Sequence, residues 1–342
     1  MRGTKSTYSL DDIAKVFGVS KATVSRALNN GPGVGQELRK KITQYANEIG
    51  YVPNSLAQGL ATGRQKIVAL IVDDIRNPFY AELSFQLQQI LSQSGYMLMI
   101  LNCEYKPEQE LKYLQMITQS NFAGLFILTV HSDSAANLLE GLDIPVVLVN
   151  RTLATYHGSQ ILLDNFQAGY IAAMHLIELN HKQIGFICGP KTSTASYQRY
   201  QGYCQAISNF GVCNTADYYY ESDLTMEGGY QVAKLLLDAP SPPPSAIIIA
   251  NDLAAIGFMN GIKEAGLRIP EDLSIVSFDN ISFSAAAGID LTTVDQHVQD
   301  ICHSAAKVML THLSDSQSIP ETVIITPTLV IRKTTRLLSR DD

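Results

Sequence analysis

No stretch of this chain reaches the roughly 18 consecutive apolar residues that a membrane-spanning helix needs. The opening MRGTKSTYSLDD also lacks the apolar centre of a secretion signal. Neither membrane insertion nor export is expected, and a cytoplasmic protein is. Cysteine is scarce: Cys103, Cys188, Cys204, Cys213 and Cys302 are scattered, with no C-x-x-C pair and no histidine at zinc-finger spacing. They read as ordinary thiols of a reducing compartment. Enzyme signatures are missing too. There is no P-loop and no G-x-S-x-G; GPGVG (31–35) precedes a helix but follows no strand, and SAAK (304–307) lacks the partner motifs that an S-x-x-K nucleophile requires. No enzyme class is indicated and no cofactor is expected.

What is present is length and a division of charge. The chain has 342 residues, 46% of them hydrophobic, which at roughly 150 residues per domain suggests two or three units. The formal net charge of -7 hides an asymmetry: residues 1–66 hold ten Lys or Arg against four Asp or Glu, net +6, so the remainder carries -13. A basic head on an acidic body points to a polyanionic partner for the head alone.

Leu10, Ile13, Ala14 and Phe17 repeat at helical spacing and predict a helix over about 9–17, with Ser9 as cap and Asp12 three residues on. Gly18 supplies a turn and Ser20 caps again. Val24, Ala27 and Leu28 form the inward stripe of a second short helix whose outward face is Lys21, Ala22, Ser25, Arg26 and Asn29. Leu38, Ile42, Tyr45, Ala46 and Ile49 predict a third helix ending at Gly50. From Pro53, PNSLAQGLATGRQ is helix-compatible but short. Its internal Gly59 costs about 1 kcal/mol relative to Ala, so this segment alone should fray.

Two helices joined by a Gly turn, the second with a hydrophilic face, form a helix-turn-helix, with the second helix lying in a major groove. Lys21 and Arg26 would donate to guanine edges, Ala22 would meet a thymine methyl, and Thr23, Ser25 and Asn29 would reach phosphates. The bland alternative is a solvated helical hairpin, and the local charge of +6 argues against it.

From Ile67 the texture changes. IVALIVD, MLMILNC, GLFILTV, VVLVNR, SQILLD, IGFICGP, AIIIAND and LSIVSFD alternate with amphipathic stretches, which predicts parallel strands covered on both faces, a doubly wound α/β body, most economically in two lobes. APSPPPS (239–245) reads as a loop between helix and strand. Open α/β sheets bind ligands beyond the carboxyl ends of their strands. Those ends carry DIRNPFY, Arg151, Asn251 with Asp252, and Asp279 with Asn280. Aromatic rings, amides, a guanidinium and carboxylates suit a polyhydroxylated ligand. Glu178 and His181 have E-x-x-H spacing, but no second copy exists, so His181 is expected to be structural, following an Asn180 that tolerates the left-handed conformation at a helix end.

DDIAKVFGVSKATVSRALNN, followed by IGYVPNSLAQGLATG and two α/β lobes, resembles the LacI/GalR family of bacterial transcription regulators over essentially the whole chain. The resemblance implies a small all-α helix-turn-helix head (1–52), a hinge helix and linker (53–65), and a two-lobed effector-binding and dimerisation domain (66–342). The first lobe would span about 66–163 plus 295–323, and the second about 164–294 plus 324–342. It assigns base reading to Lys21, Ala22 and Arg26. It makes Leu60, with Ala57 and Gln58 beside it, the hinge residue that wedges into the central base step.

The body also resembles ribose-type periplasmic sugar-binding proteins. NPFY gives Asn77, Phe79 and Tyr80 hydrogen-bonding and stacking roles. Arg199 in RYQG, Asn251 in AND, Asp279 in SFDN and Gln296 in VDQH match the other polar contacts. Asn150 stands before Arg151 where the ribose type has an aspartate, and Leu224 stands where many relatives have an aromatic lid. The expected protein is a homodimeric repressor of a carbohydrate-utilisation operon. It would bind near-palindromic double-stranded operator DNA and be switched by a small sugar between the lobes. RKTTRLLSRDD at the carboxyl end is too short for a heptad zipper, so a dimer is expected. Open alternatives are a nucleobase or nucleoside effector, and a partner phosphoprotein as corepressor, because DIRNPFYAEL and FDN resemble regulators that contact one. A sugar-binding protein without a regulatory role is opposed by residues 1–66.

Overall fold

Helix formation begins where the sequence supplies a complete cap. The Ser9 backbone N–H donates to Asp12 Oδ2 at 2.8 Å, and the Asp12 N–H donates to Ser9 Oγ at 3.4 Å. This closes a capping box at the start of α1 (Leu10–Phe17). Gly18, at φ +64°, ends the helix in the left-handed conformation. Ser20 Oγ then accepts from the Thr23 N–H at 3.2 Å as α2 (Lys21–Leu28) starts, and α3 (Gln36–Glu48) follows. Ile13, Val24 and Ile42 are fully buried among the three helices, with Ala14, Ala27 and Ala46 around them. Phe17 meets Tyr45 edge-on at 5.6 Å.

This is a computed structural model, and it describes residues 8–28, 31–51, 65–129, 133–151, 153, 156–191, 193–212, 218–315 and 317–339. Asn29 and the expected hinge helix with Ala57, Gln58 and Leu60 lie outside the described residues. The chain divides into two units, Met1–Gln65 and Lys66–Asp342.

The second unit is built on two six-stranded sheets. The first, in order β11-β5-β4-β3-β1-β2, is parallel throughout: β1 (Ile67–Val72), β2 (Met97–Asn102), β3 (Gly124–Ile127), β4 (Val146–Val149), β5 (Ser159–Leu163) and β11 (Thr322–Ile325). Its chain also forms α4 (Pro78–Gln93), α5 (Pro107–Thr118) and α6 (Asp133–Glu140). The other sheet runs β12-β10-β9-β8-β6-β7, with β6 (Ile184–Cys188), β7 (Tyr219–Glu221), β8 (Ala246–Ile249), β9 (Ser274–Asp279), β10 (Thr292–Asp295) and β12 (Thr328–Val330). Only β12 is antiparallel to its neighbour there. It is accompanied by α7 (Asn165–Glu178), α8 (Thr194–Phe210), α9 (Met226–Leu237) and α10 (Asp252–Glu264), while α11 (Val298–Ser314) returns to pack on α4, β4 and β5. This is the expected α/β architecture of two doubly wound lobes, and the chain passes between them after β5, β10 and β11.

All eight apolar runs became strands. The sequence reading missed β7, β10, β11 and β12, which are three or four residues long. β11 alternates exposed and half-buried positions, so it never reads as an apolar run.

Two glycines set how closely α7 and α8 cross. A Cβ at Gly169 would overlap the Arg199 carbonyl, and one at Gly202 would overlap the Phe166 carbonyl. Bare backbone at both positions brings the α8 side chain of Arg199 over the strand ends. At the far end of α7, Asn180 adopts φ +66° as expected. His181 is fully buried, with Nδ1 2.9 Å from Ser245 Oγ and Nε2 3.2 Å from the Arg336 carbonyl oxygen. A carbonyl only accepts, so Nε2 carries the proton. His181 therefore fastens the carboxyl-terminal segment to the second lobe, which is the structural role expected of it.

Candidate functional site

The head presents α2. Lys21, Ala22 and Arg26 are exposed, Thr23 and Ser25 are half-buried, and Val24 and Ala27 face inward. The Lys21 ammonium lies 2.5 Å from Asp11 Oδ2, an exposed pair that water screens heavily. Arg26 Nε donates to the Ala22 carbonyl at 3.2 Å, which holds the guanidinium along the helix surface. The Thr23 hydroxyl lies 2.9 Å from Ser20 Oγ, so part of its bonding capacity is used within the turn. The exposed face is thus narrower than the sequence suggested, with two cations and one methyl at its centre.

In the second unit, all ten cleft residues predicted from sequence line one cavity: Asn77, Phe79, Tyr80, Asn150, Arg151, Arg199, Leu224, Asn251, Asp279 and Gln296. Asn150, Arg151, Asn251 and Asp279 stand at strand ends, where backbone direction is set by the sheet, while Phe79 and Tyr80 on α4 and Arg199 on α8 reach in from helices. Asn77 caps α4, accepting from the Phe79 N–H at 3.0 Å, which places the Phe79 and Tyr80 rings edge to face at 5.4 Å. Asn251 caps α10 in the same way, accepting from the Ala254 N–H at 3.0 Å, and it donates to the Leu224 carbonyl at 2.9 Å.

The polar groups close into a ring. Asn165 donates to Asn150 Oδ1 at 3.0 Å, and Asn150 donates to Gln296 Oε1 at 2.8 Å. Gln296 donates to Asp279 Oδ1, whose oxygen faces Arg199 Nη1 at 3.7 Å, and Arg199 Nε donates back to Asn165 Oδ1 at 2.9 Å. Asn150, in the position where an aspartate was noted as missing, both donates and accepts here, which a carboxylate could not do. A second buried pair sits alongside: Arg151 Nη2 donates to Asp73 Oδ2 at 3.2 Å, and the Tyr80 hydroxyl donates to the same oxygen at 3.2 Å.

With both carboxylates ionised, the two guanidiniums are balanced and the cavity carries no net charge. Burial pushes the Asp279 carboxyl up to about 7, helped by the charge of Asp252 and opposed by Arg199. Burial also lowers Arg199 from its ordinary value, with Asp279 acting against that. Strained backbone gathers at these strand ends: Tyr105, Asn150, Leu224, Asp279 and Asn280 all have positive φ.

Asp73, Tyr105, Asn165, Ser193 and Ser196 belong to the site and were not singled out from sequence. Asp73 ends the run IVALIVD and carries the same strand-end signal as Arg151. Asn165 directly follows the run SQILLD and opens α7 of the other lobe, so the same signal was available for it. The cavity is about 40 Å³, and a neighbouring one of about 230 Å³ shares Asn150 and Arg151 with it.

Residues 9–54 match the lacI family of bacterial regulatory proteins, and residues 173–335 match a periplasmic binding protein-like domain. The HTH-type transcriptional repressor CytR of Escherichia coli (strain K12) is 31% identical over 335 residues, 98% of each chain. Among solved structures, a lac repressor dimer bound to operator and the anti-inducer ONPF superposes with a TM-score of 0.85 at 24% identity, covering 96% of this chain and 99% of that one, a likeness of fold. A LacI family regulator from Enterococcus faecium with bound ribose has a TM-score of 0.72 at 26% identity, covering 80% of this chain and 100% of that one. A basic helix-turn-helix joined to a two-lobed body with a polar cleft, matched along nearly its whole length by a repressor, places this chain in the lacI family as a DNA-binding transcriptional regulator with a small-molecule effector, not an enzyme.

Proposed function

We propose that this regulator is a cytoplasmic homodimeric repressor of a carbohydrate-utilisation operon, released from a palindromic operator by a small sugar held between its lobes. The observation that carries the effector class is the buried set of two arginines, two carboxylates and five amides (Asn77, Asn150, Asn165, Asn251 and Gln296) beside the Phe79 and Tyr80 rings. Such a set offers paired donors and acceptors to hydroxyls and an apolar face to a sugar ring, and its matched number of guanidiniums and carboxylates suits an uncharged ligand. The ribose bound by the Enterococcus faecium relative supports the same class.

Lys21, Ala22 and Arg26 read base edges, and Thr23, Ser25 and Asn29 contact phosphates. Residues 53–65 form the hinge, where Ala57, Gln58 and Leu60 enter the minor groove and Leu60 wedges between bases. The head (1–52), the hinge and the body (66–342) act in series. A cavity of about 40 Å³ holds only a few waters, so a sugar enters only as the walls move apart. Ligand affinity and lobe angle are thereby one equilibrium, and the coupling to operator affinity is reciprocal. Phe85, Met97, Met99 and Ile100, exposed on α4 and the edge strand β2, supply the apolar face for a second copy.

Thermal denaturation of the full chain against sugars, sugar phosphates, nucleosides and nucleobases tests this reading, because a ligand of the native state raises the melting temperature. A sugar giving the largest shift is expected. A nucleoside doing so changes the signal but keeps the switch, and silence across the panel moves the input to a partner phosphoprotein.

A further inference from the structure

Asp252 lines none of the cavity described above, yet its carboxylate is the most fully bonded beside it. It is completely buried at the start of α10. One oxygen accepts from the Ile281 N–H at 2.9 Å and the Ser284 hydroxyl at 2.6 Å. The other accepts from the Thr293 hydroxyl at 2.6 Å and from the Ser277 hydroxyl. Capping α10 does not explain these bonds, because Asn251 already does that through the Ala254 N–H.

The donors share a location. Ser277 lies on β9 two residues before Asp279, Ile281 lies two residues after it, Ser284 lies in the 3-10 turn Ser282–Ala285, and Thr293 lies on β10 beside them. Between these donors the chain makes its sharpest departure from ordinary backbone, with φ +113° at Asp279 and +52° at Asn280. Non-glycine residues keep such angles only where the surroundings over-determine them. A buried carboxylate is tolerated only when its lone pairs are satisfied, so the four donors and the bend they belong to are held together or lost together.

We propose that Asp252 is a positioning residue of the effector site: without touching the effector, its carboxylate fixes the Asp279–Asn280 bend so that Asp279 faces Arg199 and Gln296 in the cleft. The proposal rests on the cleft being the effector site, but its test needs no effector.

Hydrogen–deuterium exchange of the ligand-free full chain reads the bend directly. In Asp252→Ala, amides in 279–285 should exchange about tenfold faster, as expected for losing one net hydrogen bond of this kind, with β6 and α7 unchanged. Asp252→Asn keeps an acceptor for the Ile281 N–H, and its amide can donate to hydroxyls able to turn, so it should restore most of the protection. Unchanged exchange at 279–285 in Asp252→Ala, or loosening spread evenly over the lobe and not rescued by Asn, overturns the proposal. If Asp252→Ala does not fold, Ser284→Ala and Thr293→Val each remove one donor and must show the same local acceleration. A sugar panel without a hit would sink the effector reading and leave this result standing.

Discussion

Arg199 and Asp279 face each other at 3.7 Å with their side chains 6% and 5% exposed. The guanidinium also donates to the Ala250 carbonyl at 2.7 Å and lies 4.7 Å above the Phe278 ring, so it is fixed from three sides. A guanidinium and a carboxylate held this rigidly offer a hydroxylated ligand a donor and an acceptor at no cost in side-chain ordering.

Removing either member should therefore disable the switch and spare the head. Arg199→Ala leaves Asp279 buried without its cation, and breaking a buried pair costs roughly 3–5 kcal/mol. The expected outcome for Arg199→Ala and Asp279→Ala is operator binding that no longer responds to effector, read by mobility shift with and without it. A response of unchanged size would remove both residues from the site.

The ionisation of Asp279 makes the switch sensitive to pH. A carboxyl at about 7 is mostly protonated at about pH 6 and mostly ionised at about pH 8, so a ligand that needs the carboxylate as acceptor should bind roughly tenfold tighter at the higher value. Stability moves the other way. The folded chain holds this proton where the unfolded chain has released it, so the contribution falls as pH rises from about 4 to about 7. Calorimetric titration and thermal denaturation across the same buffers check both signs, and Asp279→Asn should flatten both.

His181 has the opposite sign. Burial pulls it down to about 4, and burial lowers His175 as well. An imidazole that is neutral when folded and protonated when unfolded contributes stability above about pH 6.5 that is lost as pH falls towards 4. In His181→Gln the fall in melting temperature over that window should be shallower by about one proton's worth of slope.

How much of this was readable beforehand follows from where each signal lies. The head was legible because a cap, a periodic stripe and a glycine turn are local in sequence, and Ser9, Asp12 and Gly18 do what their types permit. Arg151, Asn251 and Asp279 were legible because each stands at the end of an apolar run, and Asn77 because it opens NPFY in the loop after the first one. Asn165 follows the run SQILLD as closely, but its place between Asn150 and Arg199 depends on the chain passing from one sheet to the other, and no spacing encodes that. Asp252 was quoted beside Asn251 as a strand-end residue. That it grips β9 and β10 is a tertiary fact, formed by donors 25 to 41 residues away in sequence.

Close helix crossing in the second lobe gives a different kind of test. Gly169→Ala places a methyl against the Arg199 carbonyl, and backbone cannot yield as a side-chain tip does. A loss of roughly 1–3 kcal/mol is expected from overpacking, accompanied by weakened effector response because α8 carries Arg199. Chemical denaturation with parallel ligand titration checks this, and a stable, fully responsive variant would show that α7 and α8 can separate without cost.

The head and hinge should fail in distinguishable ways. Arg26 is exposed on α2, and among the described residues its Nε donates to the Ala22 carbonyl, an arrangement that leaves the guanidinium at the helix surface for a guanine edge. Arg26→Ala should cost about 1–3 kcal/mol on the operator and relax the sequence preference at one position of each half-site. On the role proposed for Leu60, an apolar wedge that acts only once the duplex is bent, Leu60→Ala should weaken specific binding and leave binding to random DNA nearly intact. Fluorescence anisotropy on operator and random duplexes over a salt series separates the two, because wedge loss leaves the salt slope unchanged. Equal losses on random DNA in both variants would refute the roles assigned to Arg26 and Leu60 together.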